Sequence, residues 1–404
     1  MNKRVFGALA LAAGLALLLT QFPGTAGAAQ AKELLVGEYN VMSGPGAPWG
    51  LGYHRGAEIA MDEINARGGI TVKGEKYLLR LKVRDDKYTG SEATKAVSAL
   101  IYQDKARFII GSIGSTSVLA ARSIGNREKV LNIADGAVWN IVDKEFPYTF
   151  RVHGISAVYA AAMYDWIGRN WPEVKTISLI TADTESGVGT MRDIRKWGVD
   201  KIGLEVLTED RYQAGTKDFY PLLSKVLAKN PDAIDTCGSM AGDGATMWKQ
   251  LHELGFKGRK ICSFGVEPDL MLQVAGKEAA EGILEAYTDP TSPLASPSLV
   301  RLYEEYLKRH GAWQYVAVSG YSAAMALAAG LEKAQSLEPT DVMHAMESPD
   351  FVWESAMGPA KFTGEKTWGI RRHSALPCAF VIFKDGKVET LEVVSGERVA
   401  ELLP

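Results

Sequence analysis

Two rhythms of apolar and polar positions recur along the chain. Leu34 to Tyr39 is an apolar run of strand length, and Tyr77 to Val83 alternates like a half-buried strand. Between them, Gly52 to Arg67 places Ala57, Ala60, Met61 and Ile64 on one helical stripe. The pattern goes on as helix Ala93 to Gln103, strand Arg107 to Gly111, helix Ser117 to Lys129 and strand Val130 to Ile133. After an extended piece at Tyr148 to Val152 the rhythm restarts. Helices are predicted at Ala157 to Asn170, Gly187 to Val199, Asp218 to Lys229 and Asp243 to Leu254. Strands are predicted at Lys175 to Thr181, Leu204 to Thr208, Asp232 to Cys237 and Lys260 to Phe264. Such alternation predicts mostly parallel sheets covered by helices on both faces, in two successive α/β units.

The stretches that break the rhythm mark where the chain passes between units. Pro147 to Gly154 is one, and Asp289 to Pro297, with prolines at 290, 293 and 297, is another. Three helical segments follow, Ser298 to His310, Tyr315 to Gln335 and Thr340 to Glu347. The tail reads as a hairpin, Phe380 to Phe383 and Val388 to Val394, turning at Asp385-Gly386.

The first residues bear on compartment. Lys3 and Arg4 precede an apolar run, Val5 to Leu19, and then the small residues Thr25 to Ala29. This order is that of a secretory signal peptide, with cleavage expected after Ala28 or Ala29 and export to the periplasm. The run is short for a span, which needs about 20 apolar residues. Tyr315 to Leu331 is the next most apolar stretch and reads as a buried helix, because Ser319 to Ser322 interrupt it. With 45 Lys and Arg against 48 Asp and Glu and no basic tract, nucleic acid is not an expected partner. Cys237, Cys262 and Cys378 lack metal-ligand spacing, and the expectation is buried free thiols, with a Cys237–Cys262 bridge as the alternative if their strands are neighbours.

Catalytic signatures are missing. Gly111 to Thr116 follows a strand and opens a helix, but it has neither the Lys of a phosphate loop nor the third Gly of a dinucleotide loop. No nucleophile elbow and no zinc-protease motif occurs, and none of the six histidines pairs with a Cys or acid at metal spacing. The expectation is a protein that is not an enzyme and uses no cofactor. The Gly111 to Ser117 loop leaves backbone N–H groups at a helix N-terminus, which suits a carboxylate; an ordinary N-cap explains the same residues equally well.

Several segments together resemble a known family. They are Val36-Gly37, Met42-Ser43-Gly44-Pro45, Gly56 to Ala60, Ile64 to Ile70, Asp85-Asp86, Phe108 to Ser115, Thr181 to Gly189, Asp218-Phe219, Gly265-Val266-Glu267, Phe362-Thr363-Gly364 and Lys384 to Lys387. The chain is similar, over essentially its whole mature length, to the branched-chain amino acid binding proteins of ABC transporters. The resemblance implies a type I periplasmic binding protein fold, α/β, with two Rossmann-like lobes of mostly parallel sheet joined by a three-crossing hinge. It divides the chain into a signal peptide (1–29), a first lobe (30–152 plus 287–352) and a second lobe (153–286 plus 353–404), with the third crossing near Val352 to Met357. It implies capture of an amino acid or related small carboxylate between the lobes and delivery, by a monomer, to an ABC permease in the inner membrane. A sensory protein that signals to a membrane receptor is the alternative.

The resemblance also implies site residues. Ser115, with Thr116 beside it, matches the position that binds the α-carboxylate, and Glu267 the acid that receives the α-ammonium. Trp49 falls where an aromatic covers the ligand, and Gly136 and Ala137 in the second loop of the first lobe. Ser186 and Met240 stand where the family commonly has tyrosines, Val138 stands near its usual threonine, and Asp135 adds a carboxylate. These departures concern which ligand is bound.

Overall fold

A computed structural model describes residues 31–44, 46–263, 266 and 268–403. The segment expected to be a signal peptide, 1–29, and Glu267 lie outside the described residues.

The short apolar runs become central strands because both of their faces are covered. Phe108–Gly111 and Leu131–Ala134 are buried at every residue, as parallel strands between helical layers must be. The first sheet contains β1 (Lys32–Asn40), β2 (Ile70–Val72), β3 (Glu75–Asp85), β4 (Phe108–Gly111), β5 (Leu131–Ala134) and β6 (Thr149–Arg151). The second contains β7 (Thr176–Ala182), β8 (Glu205–Tyr212), β9 (Ala233–Asp235), β10 (Arg259–Cys262) and β11 (Ile283–Ala286). The tail supplies β12 (Val352–Ser355), β13 (Gly358–Thr363), β14 (His373–Ala375), β15 (Cys378–Lys384) and β16 (Lys387–Val394). The first sheet runs β12-β13-β14-β6-β5-β4-β1-β3-β2 and the second β16-β15-β11-β10-β9-β7-β8. Strands from β3 through β1, β4, β5 and β6 are parallel, as are β8, β7, β9, β10 and β11, and the pairings at the sheet edges are antiparallel.

The predicted third crossing needs correction. Residues 353–375 do not return to the second lobe: β12 and β13 extend the first sheet, and β14 pairs with β6 in parallel. The chain crosses only after Ala375, and β15 then pairs with β11. These strands are too short and irregular for their spacing to say which sheet they join. The earlier passages lie after β6, at Val152–Ile155, and after β11, before the helix Pro297–His310. The helix Ala317–Ala334 is buried along most of its length in the first-lobe core, against the helix Ala47–Ala66. Ser319 and Ser322 in it hydrogen bond to His153 and to the Ala356 N–H, so its hydroxyls are satisfied inside the core.

Cys237, Cys262 and Cys378 are buried free thiols. Burial pushes all three thiols upward from their ordinary range, which keeps them protonated and unreactive. No helix among the described residues is long and apolar enough to cross a membrane.

Candidate functional site

The carboxyl ends of the parallel strands in both sheets open onto one cavity of about 400 Å³. From the first lobe, Tyr88 follows β3, Ile113 and Thr116 follow β4, Asp135 to Ala137 follow β5 and His153 follows β6. From the second lobe, Thr184 to Ser186 follow β7, Ala214 follows β8, Gly238 to Met240 follow β9, Val266 follows β10 and Tyr287 follows β11. This is where open parallel sheets place their ligands, since successive loops splay apart there and helices begin.

Those helix beginnings shape the local field. The helices Ser115–Arg127, Glu185–Ile194 and Ala241–Glu253 all start at the cavity wall. The first four N–H groups of a helix have no partner within it, and the macrodipole makes that end positive. At the Glu185 helix, the Thr184 side chain caps the Gly187 N–H at 3.0 Å. At the other two helices, no side chain of Gly114 or Met240 caps the first turn.

Of the residues expected at the site, Trp49, Thr116, Gly136, Ala137, Ser186 and Met240 line the cavity. Trp49 sits in the first turn of its helix with its ring centroid 6.1 Å from that of Tyr88. Ser115 is placed differently. It is buried behind the wall, and its Oγ accepts from the Ala137 N–H at 3.1 Å and the Val138 N–H at 3.4 Å. It therefore ties the loop after β4 to the loop after β5. Gly136, between them, has φ +97°, and a Cβ there would lie 3.3 Å from Ser115 Oγ. Only glycine adopts that backbone without strain.

The structure adds residues that pattern reading did not single out. Tyr88, Tyr159, Tyr287 and Tyr315 bring aromatic surface to the cavity, with the Tyr287 and Tyr315 rings 5.1 Å apart. The aromatic wall missing at Ser186 and Met240 is thus supplied from other elements, and Tyr287 and Tyr315 come from the segments flanking the second crossing. Their proximity is a tertiary fact that no local spacing encodes.

Asp135 and His153 form the polar part of the first-lobe wall. Asp135 is 1 % exposed, and its Oδ1 accepts from the Gly136 N–H at 2.7 Å. His153 Nδ1 lies 3.9 Å from Asp135 Oδ1 and 2.7 Å from Ser319 Oγ. Burial lowers the His153 pKa, with Arg151 adding to this and Asp135 opposing it, so the ring is neutral at pH 7. Arg151 is fully buried and donates to the Val138 carbonyl at 3.1 Å. Its own pKa is lowered to about 10 by burial, against the pull of Asp135 and Asp193, which leaves it charged at neutral pH. No group of three His, Cys, Asp or Glu among the described residues could hold a metal ion.

Two mostly parallel sheets facing one cavity, with the chain passing between them three times, is the architecture of the type I periplasmic binding proteins. A family model described as "Periplasmic binding protein" matches residues 34–380. This chain belongs to the periplasmic binding protein family.

The chain is 26 % identical over 410 residues to Leu/Ile/Val-binding protein homolog 1 of Brucella abortus, covering 97 % of this chain and all of that protein. Two solved structures share the fold. One is a branched-chain amino acid transporter substrate binding protein from Streptococcus pneumoniae, in complex with isoleucine: TM-score 0.75, 20 % identity, 90 % of this chain and 99 % of that one. The other is an ABC transporter solute binding protein from Rhodopseudomonas palustris, in complex with 3,4-dihydroxybenzoic acid: TM-score 0.74, 22 % identity, 90 % of this chain and 98 % of that one.

Proposed function

We propose that this protein is the periplasmic solute receptor of an ABC importer. It captures an amino acid or related small carboxylate in the cavity between the sheets and hands it, as a monomer, to a permease in the inner membrane. The carrying observation is the cavity itself, open to loops from both lobes and edged by three helix N-termini. That combination suits a small anion with an apolar body. The relatives named for leucine, isoleucine and valine, and the related structures holding isoleucine or a dihydroxybenzoate, bear on ligand size and on the carboxylate they share.

In this reading the carboxylate sits at the start of the helix Ser115–Arg127, held by its free backbone N–H groups and the Thr116 hydroxyl. Ser115 holds the loops in register, and Gly136 and Ala137 form the adjoining wall. Trp49 and the tyrosines enclose the apolar part, and Ser186 and Met240 close on it from the second lobe. Glu267 keeps the role the family resemblance implies, that of an acid facing the ammonium group. No chemistry is performed on the ligand: binding works by stabilising the closed arrangement of the lobes through contacts that only that arrangement offers.

A thermal-shift screen of the mature chain tests this. L-amino acids and simple aliphatic and aromatic carboxylates are each added in excess. A ligand at about 100 times its dissociation constant stabilises by roughly 2.7 kcal/mol. A shift with at least one of these acids is expected; no shift with any of them would refute the reading.

A further inference from the structure

Ala137, on the cavity wall, is held from two sides. Its N–H donates to Ser115 Oγ at 3.1 Å, within the first lobe. Its carbonyl accepts from the second lobe, where the Ser156 N–H lies at 3.4 Å and the Ser156 Oγ at 3.2 Å. Ser156 opens the helix Ser156–Asn170 directly after the first crossing, and that helix packs in the second-lobe core. An N–H in the first turn of a helix has no partner within the helix. For the Ser156 N–H the partner is the first-lobe carbonyl of Ala137.

Further contacts converge on the same short segment. The Val138 carbonyl accepts from Arg151 Nη1 at 3.1 Å, and second-lobe Gly189 packs on the Val138 side chain. Four residues on from Gly189, in the helix Glu185–Ile194, Asp193 is buried and accepts from the Ser156 hydroxyl. Residues four apart share a helix face, so one face of that helix meets Val138 directly and Ala137 through Ser156. Burial pushes the Asp193 carboxyl upward, while the Ser156 hydroxyl and the charges of Arg192, Arg151 and Lys196 oppose this. A serine hydroxyl has a single proton to donate. That of Ser156 is shared between a second-lobe carboxylate and a first-lobe carbonyl.

We infer that Ser156, seated by Asp193, is a positioning residue for ligand capture: it ties the cavity-wall residue Ala137 to the second lobe and so sets the angle between the lobes. A ligand that presses on the loop after β5 moves the second lobe through this tie as well as through its own contacts. The purpose rests on the solute-receptor reading. The tie itself belongs to the ligand-free chain and is tested there.

Measuring the distance between lobes by electron spin resonance is the test. Spin labels go on two exposed helical positions, Lys95→Cys in the first lobe and Lys249→Cys in the second. The three native thiols are buried and stay unlabelled. In the ligand-free mature chain, Ser156→Ala is expected to raise the ratio of long-distance to short-distance forms about 5-fold, the effect of one lost hydrogen bond. Thr236→Val removes a buried hydrogen bond to Trp248 inside the second lobe and is expected to leave the distances unchanged. An unchanged distribution in Ser156→Ala, or an equal shift in Thr236→Val, overturns the inference and leaves the receptor reading standing. Amide exchange of the wild-type chain decides the matter even if Ser156→Ala fails to fold. The Ser156 N–H is expected to exchange at least about 10-fold more slowly than an unbonded amide. Exchange at the unbonded rate overturns the tie.

Discussion

At the scale of single residues, the loop after β5 constrains sequence through both its hydrogen bonds and its backbone angle. Ser115→Ala removes the acceptor of the buried Ala137 N–H, which should lower unfolding stability by about 1–3 kcal/mol. Urea denaturation of the ligand-free protein would measure this. Binding should weaken in parallel, since the wall the loop forms is released. Gly136→Ala forces a side chain into φ +97° against Ser115, and a loss of about 1 kcal/mol or more is expected in the same experiment. Ser115 stood out in the sequence through the resemblance and through its place at a strand end, and the structure places it behind the cavity wall. Its hydrogen bonds to the next loop were not legible, because they join residues whose contact depends on the order of the strands.

Elements are pinned together by buried polar pairs as well as by apolar packing. His54, on the helix Ala47–Ala66, lies 2.7 Å from the buried Glu38 on β1 and 3.4 Å from Glu58. Burial lowers the His54 pKa, but the hydrogen bonds and charges of Glu38 and Glu58 outweigh it and raise it to about 10. Burial pushes Glu38 upward too, partly offset by His54. Both directions mean that the folded protein retains a proton here that the unfolded chain releases. A raised pKa contributes stability that is fully present below the unfolded value of 6.5 and is lost as pH rises through about 10. His54→Gln should therefore destabilise clearly at pH 6 and progressively less toward pH 10. Thermal midpoints across that range would show it, and a pH-independent difference would refute the pairing. The main elements were legible because their apolar periods are long: β1, β3 and the helix Ala47–Ala66 appear close to where the pattern put them. The hairpin turn has Asp385 and Gly386 both at positive φ, as an Asp-Gly pair favours. Strands of three or four residues such as β11, β12 and β14 carry too few positions for a period to show, and β12 and β14 were placed wrongly or not at all.

For the molecule as a whole, the proposed function depends on the two lobes approaching each other. Gly189, on the second-lobe helix Glu185–Ile194, packs so closely on first-lobe Val138 that a Cβ would lie 2.5 Å from the Val138 Cγ1. Gly189→Leu should hold the lobes apart. Small-angle scattering is expected to show a larger radius of gyration that a ligand found in the screen no longer reduces, with affinity down about 10-fold or more. An unchanged profile would mean that this contact plays no part in closure. The two-lobed design was legible from the restarting rhythm, whereas the late third crossing was not. That crossing has a bearing on how the chain acquires its shape. β12, β13 and β14 complete one sheet and β15 and β16 the other, so both sheets take edge strands from the stretch Val352–Val394. An N-terminal nascent fragment therefore has no finished domain to settle into, and pairings such as β14 with β6 span more than 200 residues. Completion of either half waits until the stretch Val352–Val394 has been made, and a chain kept open in this way would stay threadable, as the proposed export to the periplasm requires.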